Sequence, residues 1–199
     1  MASYSVIPRS FFNRPTLTVA RGLLGQRLVK LEGSRRIAGL ITETEAYVGI
    51  EDDGCHARAG LTNRNRSMWG PPGHAYVYFT YGMHWMLNFV TERDGFPAAV
   101  LLRGVKPVEG IDIIRRRRAG RLETELTDGP AKLCQAFALD GSFNGMDLCH
   151  KESVLFIERV EDIPEHSVTT GPRVGLNKVS EPWKSKPWRF RVFHADKEI

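Results

Sequence analysis

Cysteine is scarce in this sequence, and no two cysteines lie at metal-binding spacing. The 199 residues contain three, Cys55, Cys134 and Cys149, scattered along the chain. Structural zinc sites use closely spaced thiolates and disulfide frameworks use even sets of cysteines, so neither kind of site is indicated. A reducing, cytoplasmic setting fits this pattern best.

Long apolar runs are missing as well. No stretch approaches the roughly 20 apolar residues that a membrane-spanning helix needs. Residues 1–9 lack the charged, apolar and small-residue order of a signal peptide. Hydrophobic residues still make up 42% of the chain, which is enough for a folded core. We therefore expect one domain, residues 1–199, with no membrane partner.

Basic residues outnumber acidic ones. The formal net charge is +5, and the sequence pI is about 9.3. This balance favours an anionic partner, such as nucleic acid or an acidic membrane surface. The charge is not specific by itself, because many basic proteins bind neither.

The pattern of apolar and turn residues predicts an α+β fold, a single compact domain with a mostly antiparallel, curved sheet flanked by helices. Residues 75–105 are expected to form a meander. Residues 49–73 form a long loop, which in a compact domain is usually functional or disordered. Helices are predicted at 15–24, 108–119 and 131–139. Strands are predicted at 26–31, 36–47, 75–80, 84–91, 98–105, 153–160, 167–176 and 188–193.

Two glutamates stand two residues apart in the second predicted strand. Side chains of Glu43 and Glu45 would share one face of that strand, and Tyr47 would follow on the same face. One interpretation is a solvent-exposed strand edge. The other makes one glutamate a general base for water, and the spacing does not say which.

Aromatic rings recur nearby. Tyr76 and Tyr78 share a face of the third predicted strand, where tyrosines are most often ordinary half-buried sheet residues. Together with Tyr47 and His56 they would instead wall a flat slot for a nucleobase. Stacking on such rings contributes roughly 1–3 kcal/mol per base.

Two residues of the predicted meander have special positions. Tyr81 precedes Gly82 in a turn, so its ring is expected to project outward and is suited to act as a wedge between base pairs. Asn88 interrupts an apolar strand. It is either a hydrogen-bonded core amide or a specificity group on the floor of a pocket.

The long loop carries a second group of polar residues. Asp52, Asp53, Cys55 and His56 are potential metal ligands, but their spacing matches no common zinc pattern, so we expect no metal. A loop histidine is usually a surface residue.

Three arginines are candidates for contact with an anion. Arg64 and Arg66 in the long loop are either solvated or in contact with phosphate. Arg103 ends an apolar strand, which would place its guanidinium at the rim of the sheet, beside a carboxylate or a phosphate.

These motifs together resemble the alkyladenine DNA glycosylase family, the mammalian type of 3-methyladenine DNA glycosylase that is also found in bacteria. The similarity covers nearly the whole chain. The matching segments are TETEAY at 42–47, His56, RNRSM at 64–68, YVY at 76–78, YGM at 81–83, Asn88, LLR at 101–103, GPAKLCQA at 129–136 and RVG at 173–175.

The resemblance implies a catalytic role for Glu45 as the general base that activates water. It implies that Arg103 and the backbone near Val174 hold that water. No cofactor and no metal are implied, and the absence of a lysine near the motif speaks against a Schiff-base mechanism with strand cleavage.

The resemblance also implies recognition roles. Around the flipped base, it implies Tyr47, His56 and Tyr78. It implies that Asn88 discriminates between purines and that Tyr76 is a supporting wall. Toward the DNA, it implies that Tyr81 inserts into the duplex and that Met83 belongs to the DNA-facing wedge surface. It implies contacts with the DNA backbone for Arg64, Arg66 and Lys132.

One position departs from the family. His84 stands beside the wedge where the mammalian members carry tyrosine, so DNA affinity or the search along the strand is expected to differ while the chemistry is retained. The expected partner is double-stranded DNA with a damaged purine. We expect a monomer with no obligate protein partner.

Two rival classes remain open on the residues alone. An RNA- or single-strand-binding module would use the same rings and arginines but leaves Glu45 without a role. A hydrolase of free nucleosides would need no Tyr81 wedge. The preferred lesion among 3-methyladenine, 7-methylguanine, hypoxanthine and ethenoadenine also stays open.

Overall fold

A long central strand organises the sheet. The computed structural model describes residues 5–160 and 162–193, so residues 1–4, 161 and 194–199 of the predicted 1–199 domain lie outside the described residues. Within them the strands are β1 (Arg27–Glu32), β2 (Arg35–Val48), β3 (Ala75–Thr80), β4 (His84–Val90), β5 (Ala98–Glu109), β6 (Leu155–Glu158), β7 (Val168–Gly171) and β8 (Arg189–Val192).

All strand pairings in the sheet are antiparallel, as the sequence predicts. The order is β3-β4-β5-β2-β1-β6, and β8 pairs with both β2 and β7. The predicted meander is confirmed as β3, β4 and β5. Register shifts beside Glu43 mark bulges in the β2–β5 pair, and such bulges bend a strand and increase its twist.

The described residues also form four α-helices that cover the sheet. They are α1 (Arg9–Phe12), α2 (Thr16–Gly22), α3 (Ile111–Arg117) and α4 (Pro130–Ala136). Helix α2 packs on β2, where the hydroxyl of Thr44 donates to the carbonyl of Ala20 at 2.9 Å. Helix α4 packs on β4 and β5 through buried Leu133 and Cys134. The α+β fold predicted from the pattern is confirmed.

Several predicted bounds are wrong, and two of the differences have a clear physical reason. The helix predicted at 108–119 is shorter, because β5 continues to Glu109 along its long partner β2. Gly110 then turns the chain at a φ of +66°, where a Cβ would meet the carbonyl of Arg36 at 2.8 Å. The strand predicted at 167–176 ends at Gly171, immediately before Pro172, which has no N–H to donate. Helix α1 was not predicted.

The long loop between β2 and β3 is ordered around two short 3-10 helices, His56–Ala59 and Arg66–Trp69. Asn65 fastens it, because its amide donates to the carbonyls of His56 and Gly60 at 3.0 and 2.8 Å. No helix among the described residues is long and apolar enough to cross a membrane.

Candidate active site

A cavity of about 310 Å³ lies over β2, β3, β4 and β5, beside the long loop. That volume lies at the lower end of the range for small-molecule sites. The structure brings seven of the predicted site residues to its wall. They are Tyr47, His56, Tyr76, Tyr78, Tyr81, Asn88 and Arg103.

Glu45 lies directly behind this wall. Its Oε1 accepts the backbone N–H of Val174 at 2.7 Å, and its Oε2 accepts the hydroxyl of Tyr47 at 2.8 Å. The Nε of Arg103 is 3.4 Å from Oε1. The carboxylate is fully buried, while Tyr47, Arg103 and Val174 all line the cavity. The chain therefore holds one carboxylate in a fixed orientation behind the cavity.

The pairing of β2 explains this burial. Residues Glu43 to Glu45 are paired with β5 on one side and with β8 on the other. The interpretation of these glutamates as a solvent-exposed strand edge is therefore wrong. Burial raises the pKa of Glu45 above that of an ordinary glutamate, and the charge of Arg103, the Val174 N–H and the Tyr47 hydroxyl oppose this rise. The net direction is upward.

Tyr47 is held as a hydrogen-bond donor. Burial, followed by the charge of Glu45, raises the pKa of this phenol well above its usual value. Tyr47 therefore keeps its proton across the physiological range and donates a hydrogen bond to Glu45.

Glu43 has different neighbours from Glu45. Its Oε1 accepts from the Nε of Arg103 at 2.8 Å and from the Nε of Arg189 at 2.6 Å. Two arginines thus share one oxygen of Glu43, whereas Glu45 faces the cavity wall. The spacing in the sequence left both glutamates open as the base, and the geometry favours Glu45.

A buried ion pair packs against the ring of Tyr47, whose hydroxyl binds Glu45. The guanidinium of Arg173 binds both carboxylate oxygens of Asp52, at 2.5 and 2.7 Å, and both side chains are fully buried. Arg173 also donates to the carbonyl of Ala46, and its guanidinium carbon lies 4.6 Å from the centroid of the Tyr47 ring. Because Arg173 precedes Val174, the same pair fixes the N–H that Glu45 accepts.

The candidate metal ligands of the loop have other roles. Asp52 is bound by Arg173, and Asp53 accepts from the hydroxyl of Ser180 and pairs with Arg58. Within residues 5–160 and 162–193, no group of three or more His, Cys, Asp or Glu side chains is placed to hold a metal ion.

Three rings form the far wall of the cavity. The Nδ1 of His56 is 2.9 Å from the hydroxyl of Tyr76, and the His56 and Tyr78 rings meet edge to face with centroids 4.5 Å apart. Burial, followed by the charge of Arg64, lowers the pKa of His56, so the imidazole is neutral at pH 7. Burial raises the pKa of Tyr78 to about 12. The wall is therefore aromatic and uncharged.

Asn88 lies at the floor of the cavity. Its Nδ2 donates to the carbonyl of Tyr76 at 3.0 Å, and the side chain is buried. The amide is therefore hydrogen-bonded and also lines the cavity, while its role in specificity stays a prediction.

The turn between β3 and β4 projects at the rim. Tyr81 and Gly82 have φ values of 53° and 68°, and the Met83 N–H donates to the carbonyl of Thr80, as in a type I′ turn. Tyr81 is 82% exposed and Met83 is 67% exposed. This hairpin carries two large apolar side chains into solvent beside the cavity, and Tyr81 also lines it.

The three predicted backbone-binding cations lie in different places. Arg64 stacks on Tyr78 with its guanidinium carbon 5.5 Å from the ring centroid. Arg66 is exposed and donates to Asn63 at 3.1 Å. Lys132 pairs with Asp128 at 2.9 Å and lines a neighbouring groove together with Met83.

Three residues support the site in ways that the sequence did not predict. Arg173 lay in a matching motif, but nothing in the sequence indicates its bond to Asp52. Asp52 was considered only as a metal ligand. Arg189 reaches Glu43 from the C-terminal strand, 146 positions away, and no local signal marks such a contact.

Comparison with known proteins identifies the family of this chain. Residues 10–196 match the family model described as methylpurine-DNA glycosylase (MPG). A relative from Methanocella arvoryzae is 47% identical over 93% of this chain and 91% of its own, and one from Carboxydothermus hydrogenoformans is 46% identical over 93% and 94%. One from Myxococcus xanthus is 45% identical over 94% and 89%. Each bears the name "Putative 3-methyladenine DNA glycosylase". The chain belongs to the methylpurine-DNA glycosylase family.

Proposed function

We propose that this DNA glycosylase, a hydrolase of N-glycosyl compounds, flips an alkylated or deaminated purine out of duplex DNA. A water activated by Glu45 then hydrolyses the N-glycosidic bond and leaves an abasic site, as in base excision repair. The observation that supports this most strongly is one buried carboxylate with a raised pKa, fixed behind an aromatic cavity. The names of the relatives agree with this substrate class.

Extrusion of the base is assigned to the hairpin. Flipping costs a few kcal/mol and is easiest at a damaged or weakened base pair. Apolar side chains that enter a base step stabilise the distorted duplex. Tyr81 is exposed at the rim of the cavity, so its ring would fill the space that the base leaves. Met83 would add an apolar surface on the same turn.

Recognition of the base is assigned to the rings of the wall. Tyr47, His56 and Tyr78 offer flat faces or edges to a purine, with Tyr76 supporting them from behind. Asn88 is the polar group on the floor, and its carbonyl oxygen, which accepts no hydrogen bond from the described residues, can meet a base edge while its nitrogen donates to Tyr76.

The chemical step is assigned to Glu45. A carboxylate oxygen can accept two hydrogen bonds, so Oε2, which accepts the Tyr47 hydroxyl, has capacity for a water. The carboxylate would take a proton from that water and stabilise the oxocarbenium-like charge on the sugar. Arg103 and the Val174 N–H hold Oε1 and so fix its orientation.

The expected product is an intact strand with an abasic site. No lysine lines the cavity among the described residues, so the pocket supplies no amine for a Schiff base. We propose that the protein acts as a monomer on duplex DNA with no obligate protein partner. The exposed hairpin favours a duplex over a free nucleoside, because a nucleoside gives Tyr81 no stack to enter.

Replacement of the wedge tests the flipping step. In Tyr81→Ala, we expect the equilibrium between stacked and flipped ethenoadenine to shift at least about five-fold toward the stacked state, because loss of one stacking contact costs roughly 1–3 kcal/mol. Ethenoadenine fluorescence in a duplex reports this equilibrium. Leu122→Ala removes another strongly exposed apolar side chain, one that does not line the cavity, and it should leave the equilibrium unchanged. An unchanged equilibrium in Tyr81→Ala would remove the wedge role.

The pH dependence tests the protonation state of Glu45. A general base acts when ionised, so base release should rise with pH through a midpoint above the roughly 4.3 of a free glutamate. Single-turnover release of hypoxanthine across the acid range measures this midpoint. His56→Asn is the control, since its rate should fall while its midpoint stays. A pH midpoint that shifts or disappears in His56→Asn would contradict the assignment to Glu45.

A further inference from the structure

Arg64 occupies a position that phosphate binding alone does not explain. Its guanidinium lies over the Tyr78 ring, and its Nη2 donates to the carbonyl of Phe79 at 3.1 Å. The long loop is thereby joined to the strand that leads into the wedge hairpin. The cation lies over Tyr78, which lines the cavity that would receive the base.

The other charges around the cavity are paired with one another. Glu43 binds Arg103 and Arg189, and the buried Asp52 binds Arg173. Arg64 has no carboxylate partner among residues 5–160 and 162–193. Its charge acts on the wall of the cavity, where it contributes to the lowered pKa of His56.

We propose that Arg64 determines lesion specificity and favours neutral purines over cationic ones. Purines alkylated at N3 or N7 carry a positive charge, whereas hypoxanthine and ethenoadenine are neutral. An aromatic ring attracts a cation to its face, but here a cation already lies on one face of Tyr78. A charged base on the other face would be repelled by it. This inference rests on the proposed glycosylase function.

The size of the effect follows from Coulomb's law. A base stacked on the face of Tyr78 opposite to Arg64 would lie roughly 9 Å from the guanidinium carbon, which is the sum of the 5.5 Å from that carbon to the ring centroid and one stacking distance of about 3.5 Å. Arg64 is exposed, so solvent screens the interaction strongly. With an effective dielectric constant between 20 and 80, the repulsion corresponds to a factor of about two to twenty, and a value near five is expected.

The test compares two neighbouring arginines. Single-turnover base release is measured on duplexes carrying 7-methylguanine, a cation, and hypoxanthine, a neutral base, for Arg64→Gln and Arg66→Gln. Arg64→Gln should raise the ratio of cationic to neutral release about five-fold. Arg66→Gln removes an exposed cation of the same loop that lies over no ring of the described residues, so both rates should fall together and their ratio should stay at the wild-type value.

Two further measurements distinguish an effect of the Arg64 charge from an effect of its packing. Arg64→Lys keeps the charge and should retain the wild-type ratio, while a ratio that changes equally in the Lys and Gln variants would show a packing effect and overturn the proposal. Raising the ionic strength should move the wild-type ratio toward that of Arg64→Gln, because salt screens exposed charges.

The outcomes distinguish this proposal from the function on which it rests. If wild type releases neither base, the glycosylase function fails. If wild type releases hypoxanthine but Arg64→Gln lowers both rates by the same factor, Arg64 is only a phosphate contact, and the specificity proposal alone is overturned.

Discussion

Glu45→Gln should abolish base release and keep the affinity for damaged DNA. We expect single-turnover release to fall at least about a thousand-fold, because general-base catalysis alone contributes roughly 10²–10⁴ and the stabilising charge is lost as well. Glutamine has the same shape as glutamate. Its carbonyl can accept the Val174 N–H, and its amide can donate to the Tyr47 hydroxyl, so the cavity keeps its form.

A matched control separates this effect from the loss of any strand glutamate. Glu109→Gln removes a carboxylate from β5 that pairs with Arg36 and Arg27 and does not line the cavity. Its release rate should stay within about two-fold of wild type. Release over several turnovers by Glu45→Gln would refute the assignment of the general base.

Asp52→Asn should destabilise the protein more than any other single carboxylate change proposed here. The substitution leaves the Arg173 guanidinium fully buried and without its counter-charge. Removal of one partner from a buried ion pair typically costs about 3–5 kcal/mol. We expect the free energy of unfolding to fall by that amount in urea denaturation, with an unchanged dependence on urea concentration.

The adjacent aspartate provides the control. Asp53 binds the exposed Arg58 and Ser180 at the surface, so Asp53→Asn should cost less than about 1 kcal/mol. The rate of base release gives a second measurement. Arg173 packs on Tyr47 and precedes Val174, and both of these residues bind Glu45. Folded Asp52→Asn should release bases more slowly than wild type. Equal stabilities of the two variants would show that the pair does not hold the site.

The existence of the strands could be predicted from the sequence more accurately than the residues at which they end. Alternation and turn residues mark β3, β4 and β5 and their meander, since each of these pairings is local. The extension of β5 to Glu109 depends on the length of β2, which begins more than sixty positions earlier. The first residues of the helix pattern at 108–119 therefore form strand instead of helix, because they pair with β2.

The rings of the site could be predicted from their spacing, but its charges could not. Tyr76 and Tyr78 come from one strand, and period two places them on one wall. The choice between Glu43 and Glu45 depends on Arg103 and on two distant segments, which bring Val174 to one glutamate and Arg189 to the other. Such contacts carry no signal within the motif itself.

The most direct test of the account is single-turnover base release by the wild-type protein. Duplexes with one hypoxanthine, one ethenoadenine or one 7-methylguanine are incubated with excess protein, and free base and strand integrity are followed together. We predict release of a free base from the duplex and an intact strand that breaks only on alkaline treatment, the mark of an abasic site. Tight binding without release from any of these duplexes, or strand cleavage coupled to release, would contradict a glycosylase that acts through Glu45 and water.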